Sequence, residues 1–448
     1  MRTGTDRVVG WEAVRTVAGR DPGRPVRCLR RHRRRPPPPH RRIMAVTRRL
    51  PRWQELAPLL QFDLTLNRRR ARLSRVGDIT DLRTIARRRT PRAAFDYVDG
   101  AAGAERTHQG NRAAFDDLVL TPAILAGNAE VDLSTTIAGS RSALPVGIAP
   151  TGFTRMMQTE GEVAGVRAAE HAGVPFTLST MGTRSVEDVA AAAPAATKWF
   201  QLYLWRDHEA SRALIERAWA SGFDTLLVTV DTAVAGLRLR DTRNGMTVPP
   251  KLTTGTVLDA SYRPQWWFDL LTTDPLTFAS LSDSTSDLAS LINGMFDPTL
   301  SIEDLAWIRE IWPGKLFVKG VLTADDAHRS LDTGADGLIV SNHGGRQLDK
   351  APVTLDALPE VRAAAGDDVE IMFDSGIMTG SDVIAALALG ADFALIGRAY
   401  LYGLMAAGEA GVRKVLEILE REMRVTMQLM GAADLSELTP EMVRRIER

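Results

Sequence analysis

The feature that most constrains this chain is an eightfold alternation of short apolar segments with amphipathic helical ones, which begins at residue 145. The apolar segments are bounded by Gly, Pro or polar clusters, as is typical of strands buried on both faces. They are Pro145–Pro150, Pro175–Thr180, Lys198–Trp205, Thr225–Asp231, Lys315–Val321, Gly337–Asn342, Glu370–Gly376 and Phe393–Arg398. Eight strand–helix units in about 250 residues predict an α/β fold of the (β/α)8, or TIM barrel, type.

The competing architecture is a doubly wound sheet. It is disfavoured because no GxGxxG fingerprint opens any of the helices between these strands. The helical segments include Glu160–His171, His208–Ser221 and Thr323–Thr333. Ser301, Thr323 and Ser381 are each followed within three residues by Glu or Asp, a pattern that indicates the start of a helix.

Two further segments accompany the predicted barrel core at 145–398. Residues 78–144 precede it, and we expect them to form an N-terminal helical segment that closes the bottom of the barrel and contributes to the site. Residues 232–300 form a long insertion after strand 4 and contain Trp266, Trp267 and Phe268. A connection of this length is usually functional or disordered. The insertion is either a lid with its tryptophans packed on the barrel rim, or a patch that contacts a membrane.

The N-terminal 43 residues differ in composition from the rest of the chain. They hold thirteen arginines and three acidic residues, a formal charge of +10, whereas the remaining 405 residues carry −9. We interpret residues 1–43 as an Arg/Pro-rich, disordered extension or translated upstream sequence, and residues 44–448 as one enzyme domain. A nucleic-acid-binding arm is the alternative from a different class of protein, because clustered arginine attracts phosphate; we expect no nucleic-acid partner.

Polar residues occur at the C-terminal ends of all eight predicted strands, where barrel enzymes carry their active sites. They are Thr151, Ser179, Gln201, Tyr203, Thr229, Asp231, Lys319, the segment 341–346, Asp374, Ser375 and Arg398. Stability does not explain such a set, because buried charges without partners cost several kcal/mol each. No metal is expected, since the single cysteine, Cys28, excludes a thiolate cluster.

These residues suggest a chemistry. Histidine titrates near neutral pH, so His343 in its glycine-flanked loop suits a general base, with Asp231 as a candidate partner. Arg346 offers a fork that can hold a carboxylate through two hydrogen bonds. The glycine-flanked ends of strands seven and eight are the usual phosphate site of such barrels, which predicts a phosphate-bearing cofactor above Lys319.

At these residues the chain resembles the FMN-dependent α-hydroxy-acid dehydrogenase/oxidase family, over residues 75–435. The stretch Ser341–Asp349, SNHGGRQLD, is similar to the family's active-site signature. Further family motifs follow in order: Phe95–Tyr97, Ile148–Thr151, Gln201–Tyr203, Thr229–Thr232 and Val318–Gly320. Within the family the chain most resembles actinobacterial L-lactate dehydrogenases, through residues 87–92 and 266–268.

The resemblance implies a role for each matching residue. His343 would accept a proton, Asp231 would be its charge partner, and Lys319 would stabilise the reduced flavin. The substrate would contact Tyr97, Tyr203, Arg238 and Arg346. The FMN ring would contact Pro150, Thr151, Gly152, Ser179, Gln201, Thr229 and Lys319. The FMN phosphate would contact Asp374, Ser375, Gly376, Gly397 and Arg398.

Three positions depart from the family pattern. Gly152 stands where plant glycolate oxidases have Ala, beside the reactive face of the flavin, and Met181 replaces their Trp. Met378 stands where many members have a phosphate-binding Arg, so Arg398 is expected to bear more of that task.

The implied reaction is oxidation of a small L-2-hydroxy acid, L-lactate to pyruvate, whether the α-hydrogen leaves as hydride or as proton. The electron acceptor stays open between a quinone, an electron carrier and oxygen, the last as in an oxidase or lactate 2-monooxygenase. A family member acting on a peptide-derived substrate in cofactor maturation is a further alternative. We expect a homo-oligomer in the cytoplasm, with peripheral contact at the inner face of the membrane as an option.

Overall fold

The structure is a computed structural model that describes residues 49–56, 68–205, 207–245, 259, 261–274, 276 and 298–446. The chain divides into two compact units, Met1–Asp63 and Leu64–Arg448. In the first unit the described residues hold a short helix, α1 (Trp53–Leu56). The predicted extension, residues 1–43, lies outside the described residues, so its disorder stays a prediction.

The second unit is built on a closed barrel of eight parallel strands, which confirms the predicted (β/α)8 fold. The strands are β4 (Val146–Ile148), β5 (Phe176–Ser179), β6 (Lys198–Leu202), β7 (Thr225–Thr229), β8 (Lys315–Val321), β9 (Gly337–Val340), β10 (Glu370–Phe373) and β11 (Phe393–Ile396). They follow chain order around the barrel, and β11 pairs with β4 to close it. Each of the eight predicted segments contains one strand.

Helices follow the strands along the chain. They are α6 (Thr154–Met157), α7 (Gly161–Ala172), α8 (Val186–Ala192), α9 (His208–Ala220), α10 (Leu239–Arg243), α11 (Pro264–Leu271), α12 (Ile302–Ile311), α13 (Ala324–Asp332), α14 (Thr354–Ala365), α15 (Gly380–Ala388), α16 (Arg398–Ala407) and α17 (Glu409–Met430). Helices α10 and α11 belong to the long insertion after β7. Among the described helices, none has the length and apolar character needed to cross a membrane.

Two of the three predicted helix starts are confirmed. Ser301 forms a capping box with Asp304 at α12, and Thr323 caps α13 through its side chain. The prediction at Ser381 is wrong, because Ser381 lies inside α15 and the cap is Thr379, which forms its own capping box with Asp382. The same aspartate follows both hydroxyl residues, so the sequence pattern alone does not separate the two registers.

In the described residues of this unit, four helices and three short strands precede the barrel, and one strand follows it. The helices are α2 (Arg68–Leu73), α3 (Ile79–Arg89), α4 (Arg92–Asp99) and α5 (Arg106–Asp116). The strands are β1 (Leu118–Leu120), β2 (Thr135–Ile137), β3 (Ser140–Ser142) and β12 (Val443–Arg445). β1 pairs with β12, and β2 pairs with β3 as an antiparallel hairpin.

The bottom of the barrel is closed by this β2–β3 hairpin, so the expectation that helices close it is wrong. Ile137 and Ala138 at the hairpin tip are buried against inward-facing side chains such as Trp199 and Phe317. The Ala138 N–H donates to the carboxylate of Glu370 at 3.0 Å, at the first residue of β10. Helix α3 instead packs on α16, which begins at the opposite end of the barrel. A short apolar tip fits between the large side chains at this end, where a helix is too wide.

Candidate active site

A row of buried polar side chains crosses the mouth of the barrel on neighbouring strands. The Ser179 hydroxyl donates to Gln201 Oε1 at 2.9 Å, and Gln201 Nε2 donates to Thr229 Oγ1 at 3.0 Å. Thr229 is in turn the register partner of Lys319 on β8. Ser179 and Gln201 are likewise in register, and the Gln201–Thr229 hydrogen bond joins the two pairs, so four residues predicted to contact FMN lie together in the barrel mouth.

Lys319 is buried at this level and is held by two partners. Its Nζ donates to Ser341 Oγ at 2.7 Å and pairs with Asp374 Oδ2 at 2.8 Å. Burial would raise the pKa of Asp374, but the Lys319 ammonium outweighs it and holds that pKa below its ordinary value. The two residues therefore form a buried ion pair, which fixes one positive charge in the barrel mouth.

His343 and Asp231 meet at the ends of β9 and β7. His343 Nδ1 lies 3.1 Å from Asp231 Oδ1, and Asp231 Oδ2 is buried with no hydrogen-bond partner among the described residues. Gly320 makes this position possible: it has φ +115°, and a Cβ there would lie 2.8 Å from the Asp231 Cβ. A glycine after Lys319 is therefore required to admit Asp231.

The turn that carries His343 is unusual in its backbone and is well anchored. His343 has φ +57°, a left-handed conformation that is strained for residues other than glycine. Its N–H donates to Ser341 Oγ at 3.1 Å, and the next N–H, of Gly344, donates to Ser375 Oγ at 3.0 Å. The side-chain amides of Asn342 and Asn111 also bond each other reciprocally at 2.8 and 2.9 Å, which joins the turn to α5.

Two guanidinium groups lie over the ring of Tyr97. The Arg346 Cζ is 4.9 Å and the Arg238 Cζ 5.4 Å from the ring centroid. Arg346 Nη1 donates to the carbonyl of Tyr97, and Arg238 Nε donates to Asp241 at 2.8 Å. Burial, and then the charge of Arg238, lower the pKa of Arg346 to about 10. Two like charges this close in a buried place favour the binding of an anion between them.

Tyr203 stands beside the histidine. Its hydroxyl is 3.5 Å from His343 Nε2, and the two rings are stacked with centroids 6.5 Å apart. Burial raises the pKa of Tyr203 well above its ordinary value, and the Asp231 carboxylate raises it further. The phenol therefore stays protonated and can act as a hydrogen-bond donor at this place.

The ends of β10 and β11 carry the residues predicted to bind phosphate. In the described part of the chain no side chain caps α16, whose N-cap is Gly397, so its first N–H groups are available to an anion. A Cβ at Gly397 would meet nothing closer than the Ala149 Cβ at 3.9 Å, which leaves room in front of it. The Arg398 side chain is already partnered, because its three nitrogens donate to the carbonyls of Val98, Gly344 and Gly100 at 2.7–2.9 Å.

The segment after β4, Pro150–Gly152, packs against Met181. The Phe153 N–H donates to the Met181 carbonyl at 3.1 Å, and a Cβ at Gly152 would lie 2.8 Å from the Met181 Cβ. The two positions that depart from the plant glycolate oxidase pattern are therefore in direct contact. An alanine at Gly152 would require Met181 to move.

Sequence reasoning missed a group of charged residues behind the site. Arg240 donates to Asp99 at 2.9 Å and to Glu105 at 2.5 Å, and Arg83 also donates to Asp99. Asp99 and Arg240 are 141 residues apart, so no spacing signal connects them. By contrast, the i,i+3 spacing of Arg238 and Asp241 on one helical turn could have identified Asp241 as a partner.

A cavity of about 280 Å³ opens between the ends of β6–β8 and the helices α12 and α13. Tyr203 and Thr229 line it on the barrel side, and Asp304 and Arg329 line it on the helix side. None of the residues predicted to bind the FMN phosphate lines this cavity. Of the residues predicted to contact the substrate, Tyr203 alone is among those that line it, so the cavity lies beside the site, between the barrel and these helices.

Comparison with known proteins identifies the class of protein that this fold and site define. Residues 86–445 match the family model described as FMN-dependent dehydrogenase, and the chain belongs to that family. It is 54% identical over 406 residues to a Mycobacterium tuberculosis protein named "Putative L-lactate dehydrogenase", covering 90% of this chain and 98% of the relative. An L-lactate dehydrogenase of Caulobacter vibrioides is 44% identical over 370 residues, covering 81% and 96%.

Among solved structures, the monotopic membrane protein (S)-mandelate dehydrogenase is similar, with a TM-score of 0.80 and 37% identity. The match covers 83% of this chain and all of that one. Together these findings confirm the family, the FMN cofactor and the class of enzyme, an α-hydroxy-acid oxidoreductase.

The residues present fit FMN. The buried row from Ser179 to Thr229 offers hydroxyl and amide groups to the edge of a planar ring, and Lys319 offers a positive charge. The amides at Gly397 and at the first turn of α16 offer donors to a phosphate. The donor set thus matches a mononucleotide with one phosphate.

Proposed function

We propose that this protein oxidises L-lactate to pyruvate with FMN as the two-electron acceptor. The observation that carries the proposal is the convergence, at one mouth, of a His343–Asp231 pair with two guanidinium groups over Tyr97. A 2-hydroxy acid presents a hydroxyl and a carboxylate on adjacent carbons, which one base and one cationic clamp can bind together. The names of the relatives support lactate within this class.

His343 is the proposed proton acceptor. An ionised Asp231 carboxylate can accept hydrogen bonds but cannot donate them. We therefore assign the proton of the neutral imidazole to Nδ1, which contacts Asp231, and this leaves Nε2 as the acceptor. Nε2 lies on the side of Tyr203, where the substrate hydroxyl would bind. When the proton is transferred, the Asp231 carboxylate stabilises the imidazolium that forms.

Arg238 and Arg346 are the proposed carboxylate clamp. Within the described residues, the hydrogen bonds of Arg346 all use Nη1 and that of Arg238 uses Nε, so other guanidinium nitrogens remain for a ligand. Asp241 orients Arg238, and the Tyr97 carbonyl orients Arg346. Tyr203, protonated, is proposed to donate to the substrate.

FMN, when bound, supplies the electron acceptor for the two electrons that leave the α-carbon. We propose that Ser179, Gln201 and Thr229 hold its ring, with backbone contacts from Pro150, Thr151 and Gly152. Lys319 would stabilise negative charge on the reduced ring. For the phosphate we propose the amides of Ser375, Gly376, Gly397 and Arg398, since the Arg398 side chain is engaged elsewhere.

We further propose that the protein works at a membrane surface, which suits a quinone acceptor. Residues 68–92 hold ten arginines against two aspartates. Arg89 of this stretch donates to Gln265 of α11 at 3.3 Å. On α11 the Phe268 and Leu271 side chains are 67% and 74% exposed. Exposed aromatic and aliphatic groups beside arginines are typical of surfaces that bind anionic lipid.

Several arginines of this region lie close enough together to lower the pKa of their neighbours. The pKa of Arg89 is lowered by burial and then by Arg72 and Arg69, with Asp269 opposing. Trp266 is half-buried and donates to the Met156 carbonyl at 3.0 Å, so this tryptophan packs on the barrel while its helix exposes other apolar residues. The ten arginines and two aspartates of residues 68–92 give this stretch a net charge opposite in sign to the −9 of residues 44–448.

Vesicle flotation tests the membrane proposal. The protein should float with phosphatidylglycerol vesicles and not with phosphatidylcholine vesicles, and Arg87→Glu with Arg88→Glu should abolish flotation. The matched control changes two exposed arginines far from α3 in the sequence, Arg141→Glu on β3 with Arg444→Glu on β12, and should still float. Equal flotation with both kinds of vesicle would contradict the proposal. Equal loss of flotation in the two double variants would contradict it as well. The homo-oligomer and the cytoplasmic location stay predictions.

An anaerobic substrate panel tests the proposed reaction. FMN absorbance should bleach with L-lactate and not with D-lactate, and the reduced protein should then be reoxidised by a quinone faster than by oxygen. Rapid reoxidation by oxygen alone would identify an oxidase. Failure of every small 2-hydroxy acid to bleach the flavin would overturn the proposal and favour a larger, peptide-derived substrate.

A further inference from the structure

The serine that follows Asp374 has a backbone conformation that residues with side chains rarely adopt. Ser375 has φ +83°, in the left-handed region that favours glycine, and it is buried. Such conformations persist only where the surrounding structure enforces them, and they concentrate at functional sites. The next residue, Gly376, adopts the same region as a glycine. Because glycine would adopt this conformation without strain, we expect the Ser375 hydroxyl to have a function.

The Ser375 hydroxyl uses both its donor and its acceptor capacity on the protein itself. It donates to Asp374 Oδ1 at 2.7 Å and accepts the Gly344 N–H at 3.0 Å. The Asn342 N–H is a third, longer contact at 3.4 Å. The side chain is thus directed to the turn that carries His343, and not only to the phosphate loop in which it lies.

These bonds complete a circuit around Lys319. The second oxygen of Asp374, Oδ2, pairs with Lys319 Nζ at 2.8 Å. Lys319 also donates to Ser341 Oγ, which accepts the His343 N–H at 3.1 Å. Two hydroxyl groups therefore connect the Lys319–Asp374 pair to two consecutive amides of the His343 turn.

We propose that Ser375 is a positioning residue for His343, and that its strained backbone is retained for the sake of its hydroxyl. The hydroxyl fixes the His343 turn relative to the Lys319–Asp374 pair, so that the base and the charge at the FMN ring keep one geometry. The inference rests on the proposed function, because that geometry matters only if His343 works beside the flavin. It assigns the Ser375 side chain a task distinct from binding phosphate, which its backbone amide can still do.

Two substitutions separate the hydroxyl from the backbone strain. Ser375→Gly removes both, and Ser375→Ala removes the hydroxyl but keeps a side chain at positive φ. The limiting rate of flavin reduction should fall on the order of tenfold in both variants, because a hydrogen bond to a charged group is lost in both. The substrate concentration for half-maximal rate should change little, since Arg238 and Arg346 do not touch Ser375. The Gly variant should melt several degrees above the Ala variant.

The experiment uses FMN-loaded protein, melting curves without substrate and anaerobic stopped-flow reduction over a range of L-lactate concentrations. The matched controls are Leu125→Gly and Leu125→Ala, because Leu125 is an exposed residue that also has positive φ, +58°. The control pair should show the same order of melting temperatures with no change in reduction rate.

Three results would overturn the inference. One is a wild-type limiting rate in Ser375→Gly, and another is an Ala variant as stable as the Gly variant. The third is loss of FMN from both variants, which would make the side chain a cofactor ligand. If the wild-type protein is not reduced by L-lactate, the proposed substrate fails instead. The rate comparison is then decided with the 2-hydroxy acid that does reduce it, and the melting comparison needs no substrate.

Discussion

Asp99 shows how much one buried carboxylate does in this molecule. It accepts hydrogen bonds from Arg83 at 2.6 Å, from Tyr402 at 2.8 Å and from Arg240 at 2.9 Å. Burial would raise its pKa, but these donors, Arg83 foremost, lower the pKa of Asp99 to about 2. Arg240 lies two residues after Arg238, so Asp99 anchors the insertion that carries one half of the carboxylate clamp.

This depressed pKa predicts an acid-dependent stability. A carboxylate whose pKa falls from 3.8 to about 2 on folding stabilises the fold fully above pH 4. This contribution, about 2 kcal/mol, is lost as the pH falls through 2. We expect Asp99→Asn to melt lower than wild type at pH 6 and to lose less further stability between pH 4 and pH 2. Melting temperatures across this range check it, with Glu216→Gln, at an exposed position of α9, as control. If the melting temperatures of wild type and Asp99→Asn change with pH in parallel, Asp99 does not contribute this pH-dependent stability.

At the scale of the elements, the strands and six of their eight first residues could be predicted, whereas most of their C-terminal ends could not. Buried parallel strands are short apolar runs, which periodicity finds readily. Seven of the eight predicted segments extend past the end of their strand, because site residues such as Asp231 continue the run past Thr229, where β7 ends. The β2–β3 hairpin was missed because its strands have three residues each and no apolar alternation.

The junction of β7 and β8 carries an element-scale prediction. At Gly320 an added Cβ meets Asp231 at 2.8 Å, whereas at Gly366, also at positive φ, it meets nothing within 4 Å. We expect Gly320→Ala to lower both the melting temperature and the rate of flavin reduction, because Asp231 must move away from His343. Gly366→Ala should lower the melting temperature alone. Equal effects of the two substitutions on the reduction rate would show that the close approach at Gly320 does not position Asp231.

At the scale of the whole molecule, the two ends of the barrel have different tasks. The family resemblance located most of the residues at the mouth. The network joining Asp99 to Arg240 could not be read from the sequence, because tertiary packing alone brings the two residues together. The hairpin at the bottom contributes packing, and the predicted extension at residues 1–43 stays a prediction.

This division predicts that the bottom can be weakened without harm to the chemistry. Ile137 is fully buried at the hairpin tip. Ile137→Ala should lower the free energy of unfolding by about 2–5 kcal/mol, because it leaves a cavity among large side chains. The limiting rate of flavin reduction should stay within twofold of wild type below the melting transition. Denaturant titration and stopped-flow reduction measure the two quantities. A fall in the rate comparable to that of the site variants would mean that the β2–β3 hairpin also positions the residues at the mouth of the barrel.

The central claim is that His343 accepts the substrate proton beside bound FMN. Anaerobic mixing of L-lactate with FMN-loaded His343→Asn and wild-type protein tests it most directly, with flavin absorbance as the signal. The account predicts that the variant keeps its FMN and its ability to bind a carboxylate. It also predicts that flavin reduction slows by about 10²–10⁴-fold. Flavin reduction at the wild-type rate in His343→Asn would contradict the account.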